Sequence, residues 1–330
     1  MQNLLKQKKK PDTHQNLKNE ALNFITMGIG CNCLVALSEA GVLDRLLENQ
    51  FITAKSIAHY ENPTCIKSAL VTLERCNIVK CSSGNYKITP FGRILAEYIG
   101  LIKIFFDGYG GLVANQSKIV KKKMSGLEKL VNWPAVSESS IWISEKTVVP
   151  TLFNEFKNLQ FSGTICDLGC GHGITLSKVC TKFRKSGLGF ESNHQTVSQA
   201  RKQLKNNHIS IERADVKNLE GIWEDVVILM QCLVFHDFNP SKSCVKIMNS
   251  YLDNFPNLKY FFYVDMVAPS TPEDEILPGF DYVHGLLDVS PRTYDETIQM
   301  FEQSKYTLVK EVPIKDLPNT YLWLLSPKKT

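Results

Sequence analysis

Thr164-Ile-Cys-Asp167-Leu-Gly169-Cys-Gly171-His-Gly173 is the stretch on which the reading of this chain turns. An apolar run ends in Asp167, and glycines follow at every second position. An apolar pattern of helical spacing then begins at Ile174 and continues through Leu176, Val179 and Cys180. The order is strand, glycine turn, helix. Glycines at a strand end permit a tight turn and let a ligand approach bare backbone and a helix N-terminus. The next run, Gly187–Glu191, predicts a second strand that closes on a carboxylate 22 residues after Gly169. A carboxylate there can accept hydrogen bonds from both ribose hydroxyls of a nucleoside.

Other glycine-rich ligand loops fit less well. A dinucleotide fingerprint spaces its glycines G-x-G-x-x-G, whereas the spacing here is G-x-G-x-G. A Walker loop needs Gly-Lys-Ser/Thr, which is absent. The string Asp167–Gly173, followed by the acidic strand end at Glu191, resembles motif I of the class I S-adenosylmethionine (SAM)-dependent methyltransferases. The resemblance implies SAM as cofactor, cradled by Asp167, Gly169, Gly171 and Gly173, with Glu191 on the ribose. A nicotinamide enzyme and a degenerate structural copy are the alternatives.

Composition agrees with an ordinary globular enzyme. The 330 residues suffice for two domains, and 43% hydrophobic against 22% charged residues supply a sizeable core. No apolar run reads as long enough to span a membrane, and no apolar signal segment follows Met1–Lys10. The ten cysteines include no C-x-x-C pair, which points to buried free thiols in a reducing cytoplasm. Residues 1–20 hold five lysines against Asp12 and Glu20, a net +3 of the chain's +5. The rest is too weakly basic for a nucleic-acid surface. Neither a nucleic acid nor a membrane is an expected partner.

Four segments are expected: a flexible basic tail over 1–19, a first domain over 20–100, a helical linker over 101–160, and a final domain over 161–330. Residues 27–47 predict a helix interrupted at Gly41. Asn62-Pro63 reads as a helix start, with Asn as N-cap and Pro at the first helical position. Ile78–Cys81 and Tyr86–Thr89 flank the turn Ser82–Asn85, a hairpin, and Thr89-Pro90 starts another helix. Helices followed by a small hairpin suggest a winged helix. Its candidate recognition helix offers only Lys67 and Arg75 against Glu74, too little to neutralise several phosphates. The segment from Gly41-Val-Leu-Asp to Ile88-Thr-Pro-Phe-Gly is similar to the N-terminal domain of plant and polyketide-type O-methyltransferases. That similarity implies a homodimer through residues 20–100, with this domain roofing the active site. In the linker, Tyr109 and Trp142 are candidate substrate-lining aromatics; core packing is the equal alternative for each.

From 161 onward strand and helix alternate, the signature of a doubly wound α/β sheet, here a seven-stranded Rossmann-like one. Strands are expected at Asn207–Arg213, Val226–Met230 and Tyr260–Asp265, with a final pair at Tyr306–Val312 and Tyr321–Leu325. A terminal antiparallel pair belongs to methyltransferases and not to nicotinamide-binding folds. The resemblance places Asp215 and Val216 on the adenine, and Met230 and Gln231 complete the cofactor candidates.

Ligands bind outside the carboxyl ends of such strands. After the fourth strand stand His236 and Asp237. In the O-methyltransferases a His-Asp pair at this place implies a histidine base, and imidazole titrates near neutrality. His284 follows 48 residues later on a helix expected after the fifth strand. Two histidines and a carboxylate suit non-haem iron or another divalent cation. This arrangement is similar to that of the 2-oxo acid C-methyltransferases, which act on phenylpyruvate-like or 2-ketoarginine-like acids. Three functions therefore stand: C-methylation of a 2-oxo acid with a metal, O-methylation of a small hydroxylated or phenolic metabolite with His236 as base, and a non-catalytic SAM-binding regulator. The intact His236-Asp237 pair argues against the last.

Overall fold

A computed structural model of the chain describes residues 13–49, 51–204, 208–238, 241–271 and 273–329. The lysines at positions 6 to 10, and Asn207 at the expected start of the third strand, lie outside them. The chain divides between Ile102 and Lys103 into two units. Segment 101–160 thus belongs almost wholly with the second.

The first unit opens with α1 (Thr13–Glu39) and α2 (Val42–Asn49), separated at Gly41, whose φ is 67°. Helix α1 starts well before the expected residue 27, so positions 13–19 are helical and not a flexible tail. No glycine or proline occurs between Thr13 and Met27 to break it. The earlier start also corrects the reading of apolar runs. Ala21–Ser38 carries no charge, and α1 contains an 18-residue window of mean hydropathy 1.6, long and apolar enough to cross a membrane. Only 22% of that window is buried, and Leu22, Phe24, Ile25 and Ile29 are exposed.

A two-residue β1 (Ile52–Thr53), too short to announce itself in the sequence, leads into α3 (Ala54–Ile57) and α4 (Pro63–Arg75). Asn62 caps α4 by accepting the Cys65 N–H. The hairpin β2 (Val79–Ser82) and β3 (Asn85–Ile88) turns through Ser83 and Gly84, both of positive φ as a two-residue turn requires. Thr89 then caps α5 (Pro90–Glu97), and α6 (Ile99–Lys103) follows. The three strands stand in the order β1-β3-β2, with helices preceding the hairpin.

The second unit begins with a π-helical turn (Ile104–Gly108), α7 (Gly110–Ile119), α8 (Trp133–Ile143) and α9 (Val149–Phe156). The alternating part then runs β4 (Thr164–Leu168), α10 (Ile174–Phe183), β5 (Gly187–Glu191), α11 (His194–Gln203), β6 (Ile209–Arg213), β7 (Val226–Cys232), α12 (Ser241–Asn254), β8 (Tyr260–Met266), α13 (Phe280–Leu286), α14 (Tyr294–Gln303), β9 (Tyr306–Pro313) and β10 (Thr320–Pro327). The seven strands stand in the order β6-β5-β4-β7-β8-β10-β9. The first five are parallel, and β10 pairs antiparallel with both β8 and β9.

Central parallel strands are covered on both faces, so β4 and β7 are apolar nearly throughout. Ile165, Ile228, Met230, Phe262 and Val264 pack on one face with α9, α10 and α13. Cys166, Leu168, Leu229, Phe261, Tyr263 and Trp323 pack on the other with α12 and α14. Strand order reverses between β4 and β7, which opens a crevice at their carboxyl ends. The glycine turn and the His236 segment lie there.

Candidate active site

Strand β7 ends at Cys232, and the chain turns sharply. Leu233 has a φ of 60°, an uncommon conformation for a leucine. Its N–H donates to the Val264 carbonyl at 2.8 Å. Gln231 secures the same bend: its amide donates to the Val264 carbonyl at 3.2 Å, and its carbonyl oxygen accepts the Val234 N–H at 3.3 Å. A single 3₁₀ turn, Phe235–Asp237, then presents His236 and Asp237.

His236 is buried against Asp265, the last residue but one of β8. Its Nδ1–H donates to Asp265 Oδ1 at 2.5 Å, and its backbone N–H donates to Oδ2 at 2.9 Å. The carboxylate can only accept, so Nε2 carries the lone pair and is turned away from Asp265. It lies 4.0 Å from Asp237 Oδ2. His284, on α13, is arranged alike. Its Nδ1–H donates to the Phe280 carbonyl at 2.6 Å, one helical turn back, which leaves a bare Nε2 3.3 Å from Asp237 Oδ1. The two imidazoles meet edge to face with centroids 5.1 Å apart, and Phe280 lies against both.

His236, Asp237 and His284 thus each offer one ligand atom, all within 4.8 Å of one another. His284 Nε2 and Asp237 Oδ1 are buried and have no hydrogen-bond partner. Two acceptors face each other with no donor between them. Buried polar atoms are rarely left so; a shared cation satisfies both, as does a proton on His284 Nε2 donated to Asp237 Oδ1. The donor set is two imidazoles and one carboxylate, with each Nδ1–H already anchored, and it fits a divalent transition metal. Burial pushes the His236 pKa down, but the Asp265 and Asp237 carboxylates outweigh it and hold it above the ordinary value. Burial likewise pushes Asp237 up, and the two histidines pull it below the carboxylate range.

Across the crevice, Gly169, Gly171 and Gly173 have φ of 75°, 54° and 71°. A side chain at any of the three would be strained. Glu191 reaches back to this turn: one oxygen accepts the Gly171 N–H at 3.2 Å, the other the Asn193 N–H at 2.7 Å. Asp167 is buried beneath the turn, with Oδ1 unpartnered. Burial, aided by Glu191, raises its pKa to about 7. Asp215 is exposed after β6, and its carboxylate accepts the Lys217 N–H at 3.0 Å; Val216 beside it is buried.

The chain is 29% identical to indolepyruvate C-methyltransferase from Streptomyces griseus over 92% of its length and 93% of that protein's. No protein-family model matches it. Among solved structures, LaPhzM superposes with a TM-score of 0.73 at 16% identity, over 94% of this chain and 99% of that one. Human N-acetylserotonin methyltransferase, solved with SAM, does so with 0.72 at 14%, over 98% and 99%. The chain shares the fold of these two proteins.

Several expected site residues stand apart from the crevice surface. The Met230 side chain is fully buried in the core, and Gln231 spends its amide on the bend above. Tyr109 is buried, and burial, followed by the Asp237 charge, raises its pKa. Trp142 is half-buried, with the Lys146 ammonium 4.6 Å over its ring. Two contributions were not anticipated. Asp265 was legible as a strand end but not as the partner of His236. Ser137, on α8, accepts the His172 N–H at 3.1 Å and donates to its Nδ1 at 2.8 Å, while Nε2–H of His172 donates to Gln199 at 3.1 Å. This ties α8 to the cofactor turn.

Proposed function

We propose that the enzyme methylates the β-carbon of a 2-oxo acid bearing a flat aromatic side chain, of the indolepyruvate or phenylpyruvate kind. The observation that carries this reading is the cluster His236–Asp237–His284, whose ligand atoms all lie within 4.8 Å of one another. The relatedness to an indolepyruvate C-methyltransferase supports it.

The chemistry follows from the substrate. A β-carbon is a weak nucleophile until the acid becomes its enolate, when negative charge gathers on the keto oxygen beside the carboxylate. A divalent cation, iron or a similar metal, held by His236, Asp237 and His284 would supply Lewis-acid stabilisation of that charge. Asp265 and the Phe280 carbonyl fix the ring orientation of the two histidines. Phe280, which lies against both imidazoles, offers aromatic surface to the substrate's side chain. Asp167, Gly169, Gly171, Gly173, Glu191, Asp215 and Val216 hold SAM so that its methyl group faces the β-carbon, and this is positioning work. Enolisation first releases the β-proton to water; the enolate carbon then takes the methyl group, the C–CH₃ bond forming as the S–CH₃ bond breaks, and the sulfonium leaves as a neutral thioether.

A second reading rests on the His236–Asp265 pair alone. An imidazole held by a buried carboxylate is also suited to deprotonate a hydroxyl, which would give O-methylation. Incubation with SAM and indolepyruvate or phenylpyruvate, followed by NMR of the product, separates the two: a methyl doublet on the β-carbon supports the first reading, and a methoxy singlet the second. The enzyme works in the cytoplasm as a homodimer, a second copy covering the exposed apolar residues of α1 in place of a bilayer.

A further inference from the structure

Arg292 lies in the loop before α14 and is only 4% exposed. No carboxylate pairs with it among the described residues, an unusual state for a buried cation and a costly one. Its two Nη groups donate elsewhere, and its buried Nε has no hydrogen-bond partner among the described residues. One Nη donates to the Phe238 carbonyl at 2.7 Å and to Cys244 Sγ at 3.4 Å. The other donates to the Phe235 carbonyl and, at 3.3 Å, to the Tyr263 hydroxyl. Phe235 and Phe238 bracket His236 and Asp237. The guanidinium therefore holds both ends of the 3₁₀ turn that carries two of the three cluster residues. Its own backbone is pinned as well: the Arg292 carbonyl accepts the Ala268 N–H at 2.8 Å, just beyond the end of β8, the strand that supplies Asp265.

We propose that Arg292 is a positioning residue of the reaction centre, setting the His236-Asp237 turn against Asp265 by clamping its two flanking carbonyls. The proposal rests on the His236–Asp237–His284 reading above. A planar fork with donors at fixed separation can span two carbonyls at once; the single point charge of a lysine cannot. This explains why a cation is buried here at all. The Phe235 carbonyl also accepts the Phe238 N–H at 2.9 Å and the Phe238 carbonyl the Cys244 thiol at 3.3 Å, so the fork adds a second, charged donor to each and fixes their spacing.

The test is Arg292→Lys, with Tyr263→Phe as a milder second variant that keeps the ring packing and removes one anchor of the guanidinium. Three quantities are read in each: SAM affinity by calorimetry, affinity for ferrous ion alone, and the downfield proton resonance of the His236 Nδ1–H bonded to Asp265. In Arg292→Lys we expect unchanged SAM affinity, ferrous-ion affinity lowered about 10- to 100-fold as for other outer-shell partners, and loss or broadening of the imidazole proton. Tyr263→Phe should move the last two in the same direction by a few fold. Wild-type ferrous-ion affinity and a sharp imidazole proton in Arg292→Lys would overturn the proposal. So would parallel loss of SAM binding and thermal stability, which would mark Arg292 as a general structural residue. If the wild-type protein binds no ferrous ion, the metal reading fails on its own, and the imidazole proton still decides the role of Arg292.

Discussion

Asp265 holds His236 at two points at once, accepting the ring Nδ1–H on one oxygen and the backbone N–H on the other. The Met266 N–H donates to the same carboxylate at 3.0 Å, so the acceptor is itself fixed. Ring orientation and tautomer are thereby set before any ligand arrives. In Asp265→Asn an amide NH₂ must face a donor N–H, and one of the two bonds is lost. Metal affinity and methyl transfer should fall about 10- to 100-fold, while SAM affinity stays at the wild-type level. Metal titration alongside calorimetry with SAM checks this.

Local signals made the frame of this site legible and long-range ones hid its supports. The glycine turn and Glu191 are adjacent in pattern, because a strand end and the helix after it are encoded within a few residues. His236 and His284 could be paired because each follows a strand whose periodicity is clear. Asp265, Arg292 and Ser137 could not be assigned. Their partners lie 29 to 57 positions away, and no local period announces a side chain that bonds the backbone of another segment. The early start of α1 was missed for the opposite reason: its apolar residues run around the helix without an amphipathic stripe.

Glu191 should govern SAM affinity. Its oxygens now accept the Gly171 and Asn193 N–H groups and face the cofactor turn. Glu191→Ala should weaken SAM binding by the loss of two charge-assisted hydrogen bonds, about 1.5–3 kcal/mol each. Calorimetry on the folded variant reads the difference; an unchanged dissociation constant would remove Glu191 from the cofactor site.

Asp167 gives the ligand-free enzyme a pH dependence of definite sign. Its pKa rises from 3.8 to about 7 through burial and then Glu191. The native state therefore binds a proton more tightly than the unfolded chain. The associated stability is complete below about pH 4 and is lost as pH rises through about 7. Thermal melts of the ligand-free protein should show this downward contribution, and Asp167→Asn should remove it. Identical pH slopes for the two proteins would refute the assignment.

The exposed apolar residues of α1 predict self-association. Phe24 is 83% exposed and Leu22 62%, and burying such a side chain is worth roughly 1.5–3 kcal/mol. Light scattering at micromolar concentration should give a dimer mass, and Phe24→Asp should shift it towards the monomer. A monomer mass for the wild-type chain would reject the homodimer.

Methyl transfer to carbon and to oxygen make opposite demands on His284. If His236 and His284 share a cation, replacing either with alanine removes a large part of the coordination. Both variants should then lose metal binding and activity on a 2-oxo acid, and chelator treatment of the wild-type enzyme should do the same. Asp237→Asn should follow them, since its carboxylate faces both imidazoles. If His236 acts only as a base, His236→Ala should cost about 10²–10⁴ in rate, His284→Ala should be mild, and chelators should have no effect. The convergence of His236, Asp237 and His284 ligand atoms within 4.8 Å of one another favours the first set of outcomes. Chelator-resistant transfer to a hydroxyl by metal-free wild-type protein would establish the second.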